Sequence, residues 1–169
     1  GYGNHPGVIL QGHMDMVPQK NNDTVFDFAK DSIEAYIDGE WVTAKGTTLG
    51  ADNGIGVAAA MAILADKSVV HPPLEVLVTV DEETGMYGAF ALEGGLLQGK
   101  ILLNLDSEAE GELYVGCAGG VDTTAKFAYT PVEVEEGDVA VKVSVTGCKG
   151  GHSGCDINLQ RANANKLLF

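Results

Sequence analysis

The chain has 169 residues, 45% of them hydrophobic, and 24 acidic against 10 basic side chains give it a net charge of −14. That length suffices for one substantial core or two small ones. The negative balance excludes the electrostatic footprint of a nucleic-acid binder or of a protein drawn to an anionic membrane, and it leaves carboxylates free for a cation.

Residues 8–11, VILQ, are a short apolar run closed by polar residues and read as a buried strand. Directly behind it come His13 and Asp15. Residues 26–46 form two mixed runs around Asp38 and Gly39, a hairpin signal. Residues 47–68 begin with Gly, Asp and Asn and then become an Ala/Met/Ile/Leu helix, which Asp52 or Asn53 could cap. After the turn HPP, residues 74–80 are a β-branched strand followed by Asp81, Glu82 and Glu83. GMYGAFALEGG predicts a short helix closed by glycines. Residues 101–105 are another buried strand, followed by Asp106. Apolar strands alternating with helices predict an α/β fold with a mainly parallel sheet and flanking helices.

The pattern then changes. Val139, Val141, Val143 and Val145 alternate with Ala140, Lys142, Ser144 and Thr146, the mark of an antiparallel strand with one covered face. ELYVGCAGGVDTTAKFAYTP reads as strand of the same kind, and residues 158–169 open a helix. A boundary near Gly119 and Gly120 divides a first domain, 1–118, from the start of an α+β domain, 119–169.

The longest low-charge apolar stretch, residues 54–65, is too short and too Ala-rich to span a bilayer. No charged leader precedes an apolar run at the N-terminus. Cys117, Cys148 and Cys155 lack CxxC spacing and fit reduced thiols in a cytosolic protein, so a cytoplasmic location is expected. Cys148, His152 and Cys155 cluster in GCKGGHSGC, one ligand short of a closed zinc site. The first residue is Gly and the last residues fall within a helical pattern, so the sequence is expected to be a piece of a longer protein.

The polar residues behind the strands share one address. In open α/β sheets, ligands bind beyond the carboxyl ends of the strands. His13, Asp15, Asp52, Glu82, Glu83 and Asp106 all fall at that rim. Alone, each reads as a cap, a turn or a solvated loop. Together, like charges converging on one rim repel unless a cation neutralises them. Imidazole and carboxylates without a thiolate set suit zinc or a similar divalent ion. Of the adjacent acids Glu82 and Glu83, one can bind metal while the other accepts a proton from water. Asp15 can take the second imidazole N–H of His13 and fix its tautomer.

GHMDMVPQ, GTTLGADNGIG, DEETGM, NLDSEAEGELYVGCAGG and GCKGGHSG, in this order, resemble the aminoacyl-histidine (Xaa-His, cytosolic non-specific) dipeptidases of the dizinc exopeptidases, along nearly the whole chain. The resemblance implies a partial zinc-peptidase catalytic domain and the start of a lid or dimerisation domain. It implies two divalent ions, zinc first, with cobalt or manganese as alternatives. His13 and Asp106 would hold the first ion, with Asp15 orienting His13. Asp52 would bridge the two ions, Glu83 would hold the second, and Glu82 would be the general base. His152 would help hold the substrate carbonyl or carboxylate, reaching the partner's site in a homodimer.

A further His ligand of the second ion would come from a C-terminal segment, and neither His5 nor His71 is in its position. The expected activity is metal-dependent dipeptide hydrolysis, with this chain alone binding the second ion weakly and hydrolysing little. The alternatives are an N-acyl amino acid deacylase or a tripeptidase of the same family, or a non-catalytic metal-binding or dimerisation module.

Overall fold

The computed structural model describes residues 2–117, 119–121, 123–152 and 156–168. Strand β1, Val8–His13, runs at the centre of a sheet. Its Ile9 and Leu10 are both buried although they point to opposite faces, as a strand covered on both sides requires. After β1 the chain makes an antiparallel hairpin, β2 (Ala35–Asp38) and β3 (Trp41–Ala44), in which Asp38 pairs with Trp41. Gly39 and Glu40 form the turn between them, and Gly39 takes a positive φ of 61° at its first position, where glycine carries no steric cost.

Helix α1, Ala51–Ala65, then crosses one face of β1. Strand β4, Leu74–Thr79, returns parallel to β1, with Val8 opposite Leu74 and His13 opposite Thr79. A short helix α2, Tyr87–Phe90, leads round to β5, Ile101–Asn104, which pairs parallel with the other edge of β1. The Glu75 carboxylate accepts the peptide N–H groups of Gln98 and Gly99 and fixes the turn into β5. The expected parallel α/β architecture is present, in the order β4-β1-β5. All three strands point their carboxyl ends the same way.

One local expectation at α1 is corrected. Neither Asp52 nor Asn53 caps α1: Gly50 holds the N-cap position in the left-handed region, at φ 82°, without a side-chain cap. Asp52 and Asn53 lie inside the first turn with non-helical dihedrals, and the peptide between them is cis. The Asn53 amide is committed elsewhere, donating to the Leu105 carbonyl at 2.8 Å.

By contacts the chain divides into the units Gly1–Leu113 and Tyr114–Phe169. The antiparallel strands expected in the second unit are not formed among its described residues. Val139, Val141 and Val143 are 82%, 81% and 72% exposed. Alternation marks a face that becomes buried only when a neighbouring strand pairs with it, and among the described residues none does. The expected terminal helix is broken in two, a 3-10 turn at Ile157–Leu159 and α3 at Ala164–Leu168, because Gln160 between them takes φ 53°. The Cys148, His152 and Cys155 grouping includes a residue outside the described ones.

Candidate metal centre

His13 ends β1 and is 1% exposed. Burying an imidazole requires partners for both ring nitrogens. Nδ1 lies 2.9 Å from the Asp15 backbone carbonyl, and Nε2 lies 3.0 Å from Asp52 Oδ1 and 3.5 Å from Asp106 Oδ1. Glu82 Oε2 is 4.0 Å from the same Nε2. Ligand atoms of His13, Asp52 and Glu83 fall within 4.8 Å of one another. Residues from the ends of β1, β4 and β5 and from the first turn of α1 thus meet at one rim. His152 belongs to the second unit, where its peptide N–H donates to the Asp156 carboxylate at 2.9 Å.

Asp15 differs in detail from the sequence expectation. Its carboxylate is 3.5 Å from the His13 ring, farther than its own carbonyl. The carboxylate oxygens instead accept the peptide N–H groups of Glu82 and Glu83, each at 3.2 Å. Asp15 therefore joins the loop after β1 to the acidic loop after β4. Burial alone would raise its carboxyl, but those two N–H groups and the His13 charge hold it below the ordinary value.

The other carboxylates move the opposite way. Burial, a hydrogen bond with Asp52 and the Asp52 charge push Asp106 up to about 6. Burial and the charges of Asp52 and Glu82 raise Glu83. Burial would lower the His13 imidazole, but the Asp52 hydrogen bond and the Asp106 charge hold it above 6.5. Among the described residues no Lys or Arg pairs with these acids. Both nitrogens of His13 face acceptors, which favours the doubly protonated ring without a cation, and burial beside Asp52 holds Asp106 towards its protonated form. A divalent ion beside Nε2 would replace these protons, so the donor set fits a metal.

Residues 9–161 match the peptidase family M20/M25/M40. The chain belongs to this family. This M20 chain is 60% identical over 168 residues to the cytosol non-specific dipeptidase of Escherichia coli (strain K12), a match covering 99% of the chain and 35% of that protein. It is 29% identical over 146 residues to the uncharacterized protein YqjE of Bacillus subtilis (strain 168), covering 81% and 37%. Among solved structures it resembles the aminoacylhistidine dipeptidase from Vibrio alginolyticus, with 54% identity and a TM-score of 0.70 over 99% of this chain and 34% of that one. The M20 chain thus spans about a third of the length of these relatives.

Three residues packed beside the candidate site were not singled out for that place from the sequence. Asn53 is 3% exposed, and its Oδ1 has no partner. Gly12 and Gly56 surround it, and a Cβ on either would collide with that oxygen. For Asn53 and Gly56 the signal was present in GADNGIG, where a polar pair lies between glycines at the start of an apolar helix.

Proposed function

We propose that a full-length protein carrying this chain is a cytoplasmic, homodimeric metallo-dipeptidase of broad specificity that accepts Xaa-His substrates. The convergence of His13, Asp52, Glu83 and Asp106 beside Glu82 carries the reading, in a chain 60% identical to a cytosol non-specific dipeptidase. In this reading, residues 1–118 are part of the catalytic domain and 119–169 begin the lid or dimerisation domain. Two divalent ions, zinc first, would be held by His13 and Asp106 on one side and Glu83 on the other, with Asp52 between them. When bound, they would supply a Lewis acid that acidifies water and steadies negative charge on the scissile carbonyl.

The chain's own residues do the rest. Glu82 takes a proton from the attacking water as the new C–O bond forms, then delivers it to the leaving amine as the C–N bond breaks. Asp15 fixes the backbone of Glu82 and Glu83, and its carbonyl holds the His13 Nδ1–H so that Nε2 faces the ligand cluster. In a homodimer, His152 would help hold the substrate carbonyl or carboxylate at the partner's site. In the full-length protein, Glu82→Ala is expected to abolish dipeptide turnover, by at least about a hundredfold, and to leave metal content nearly unchanged. Retained turnover, or metal loss in proportion to activity, would overturn the assignment.

A further inference from the structure

Beneath the ligand rim, a row of hydrogen bonds crosses all three strands. Asn104 Oδ1, at the end of β5, accepts the peptide N–H of Asp106 at 3.2 Å. Asn104 Nδ2 donates to Gln11 Oε1 on β1 at 2.6 Å. Gln11 Nε2 donates to Thr79 Oγ1, the last residue of β4, at 3.3 Å, and that hydroxyl donates to the Gly12 carbonyl at 3.4 Å. Every link runs in one direction. The amide of each residue uses its N–H side towards β4 and its carbonyl side towards β5, so neither amide can flip without losing two bonds.

Each residue in the row lies next to a segment that brings a ligand to the site. Gly12 precedes His13, Thr79 closes the strand before Glu82 and Glu83, and Asn104 holds the backbone of Asp106. The register places Gln11 opposite both Leu77 and Asn104, at the middle of the sheet. These side chains also line a cavity of about 250 Å³ that reaches Glu82 and Asp106. No hydrophobic packing requires amides here, since Leu77 and Leu102 lie on the same sheet face.

We propose that Gln11, with Asn104 and Thr79, is a positioning device that sets the spacing of the three strand ends and so holds Asp106 in reach of the ion shared with His13. This inference rests on the metal-centre reading above. Gln11 touches none of the proposed ligands directly. Its effect passes through Asn104 to the Asp106 backbone on one side, and through Thr79 to the strand ends on the other.

The test uses the full-length protein with zinc alone as probe, in competition with a chelator, alongside thermal unfolding and dipeptide kinetics. Gln11→Leu is expected to weaken zinc binding roughly tenfold or more, the effect of removing groups that orient metal ligands, and to lower kcat while KM stays within about twofold. The double variant Q11L/N104L removes both amides and leaves neither unpaired, so its melting temperature should return towards wild type. Its zinc affinity should stay low, because the Asn104 bond that fixes the Asp106 backbone is then gone.

Affinity that recovers together with stability would reduce the row to ordinary structural support and overturn the proposal. A raised KM with unchanged zinc affinity would also overturn it, since Gln11 would then be a substrate contact. Should Q11L fail to fold, Thr79→Val removes the two links made by the Thr79 hydroxyl at nearly constant shape, and unaltered zinc affinity in that variant counts against the device. A wild-type protein that binds zinc but cleaves no dipeptide would sink the dipeptidase reading alone and leave this comparison standing.

Discussion

A metal at this rim would compete with protons on His13 and Asp106, whose raised pKa values favour their protonated forms. Asp106 titrates near 6, against an ordinary 3.8. Folding therefore tightens its proton, and the cation-free chain gains stability from this group at low pH. That contribution fades as pH rises from about 4 through about 6. His13, held above 6.5, adds stability that is present below that value and lost as pH rises past its folded pKa. Metal binding runs against both. Zinc affinity is expected to fall roughly tenfold per pH unit for each proton displaced as pH drops below about 6. Titration calorimetry in a non-coordinating buffer checks this, and a flat affinity between about pH 7.5 and about pH 5 would contradict competition between the metal and the protons of His13 and Asp106. A second residue-scale contrast lies in α1. A Cβ on Gly54 would meet nothing within 4 Å, whereas one on Gly56 would meet Asn53 Oδ1 at 2.5 Å and Leu105 Cβ at 2.9 Å. Gly54→Ala is expected to raise stability by up to ~1 kcal/mol through helix propensity. Gly56→Ala, the same change two residues on, is expected to lower it by ~1–3 kcal/mol through overpacking against Asn53. Thermal unfolding of the two variants side by side gives the sign directly.

At the scale of elements, Asp15 acts as a clamp between two loops. The substitution Asp15→Asn keeps the backbone carbonyl that holds His13 but turns one acceptor into a donor facing a peptide N–H. The full-length variant is therefore expected to keep its circular dichroism spectrum and lose kcat by about tenfold or more if Glu82 is the general base proposed above, since a base displaced by even an ångström loses near-attack geometry. A normal kcat would show that the peptide N–H groups of Glu82 and Glu83 find other acceptors. How much of this was legible follows from which signals are local. β1, β4 and β5 were readable because each is a short apolar run bounded by polar residues, and the hairpin because glycine marks its turn. The convergence of His13, Asp52, Glu83 and Asp106 was readable because parallel strands bring their carboxyl ends to one side. The clamp and the Gln11 row were not, since a carboxylate accepting peptide N–H groups 67 and 68 residues away leaves no trace in spacing. The cap at α1 misled for a similar reason. Asn53 has the chemistry of an N-cap, but its amide serves Leu105, 52 residues distant.

For the whole molecule, the decisive quantity is apolar surface without a partner. Val139, Val141 and Val143 are each at least 72% exposed, and Ile101, Leu102 and Leu103 on β5 are 46%, 50% and 43% exposed. Rows of exposed β-branched and aliphatic residues are what soluble proteins cover with further strands or helices. The net charge of −14 keeps copies of such a chain apart by repulsion but covers none of this surface. Relatives matching 99% of the chain are about three times its length, which gives the alternating valines a candidate neighbour in the remainder of a full-length protein. The expected signature is one substitution with two outcomes. In the isolated 169-residue chain, Val141→Lys replaces an 81% exposed side chain and should change stability by less than about 0.5 kcal/mol. In the full-length protein the same lysine would face a covering strand, and burying an unpaired ammonium there should cost several kcal/mol. Urea unfolding of both forms measures the difference. Equal, negligible effects would mean that residues 139–145 stay uncovered, and the alternation would then need an explanation other than a sheet.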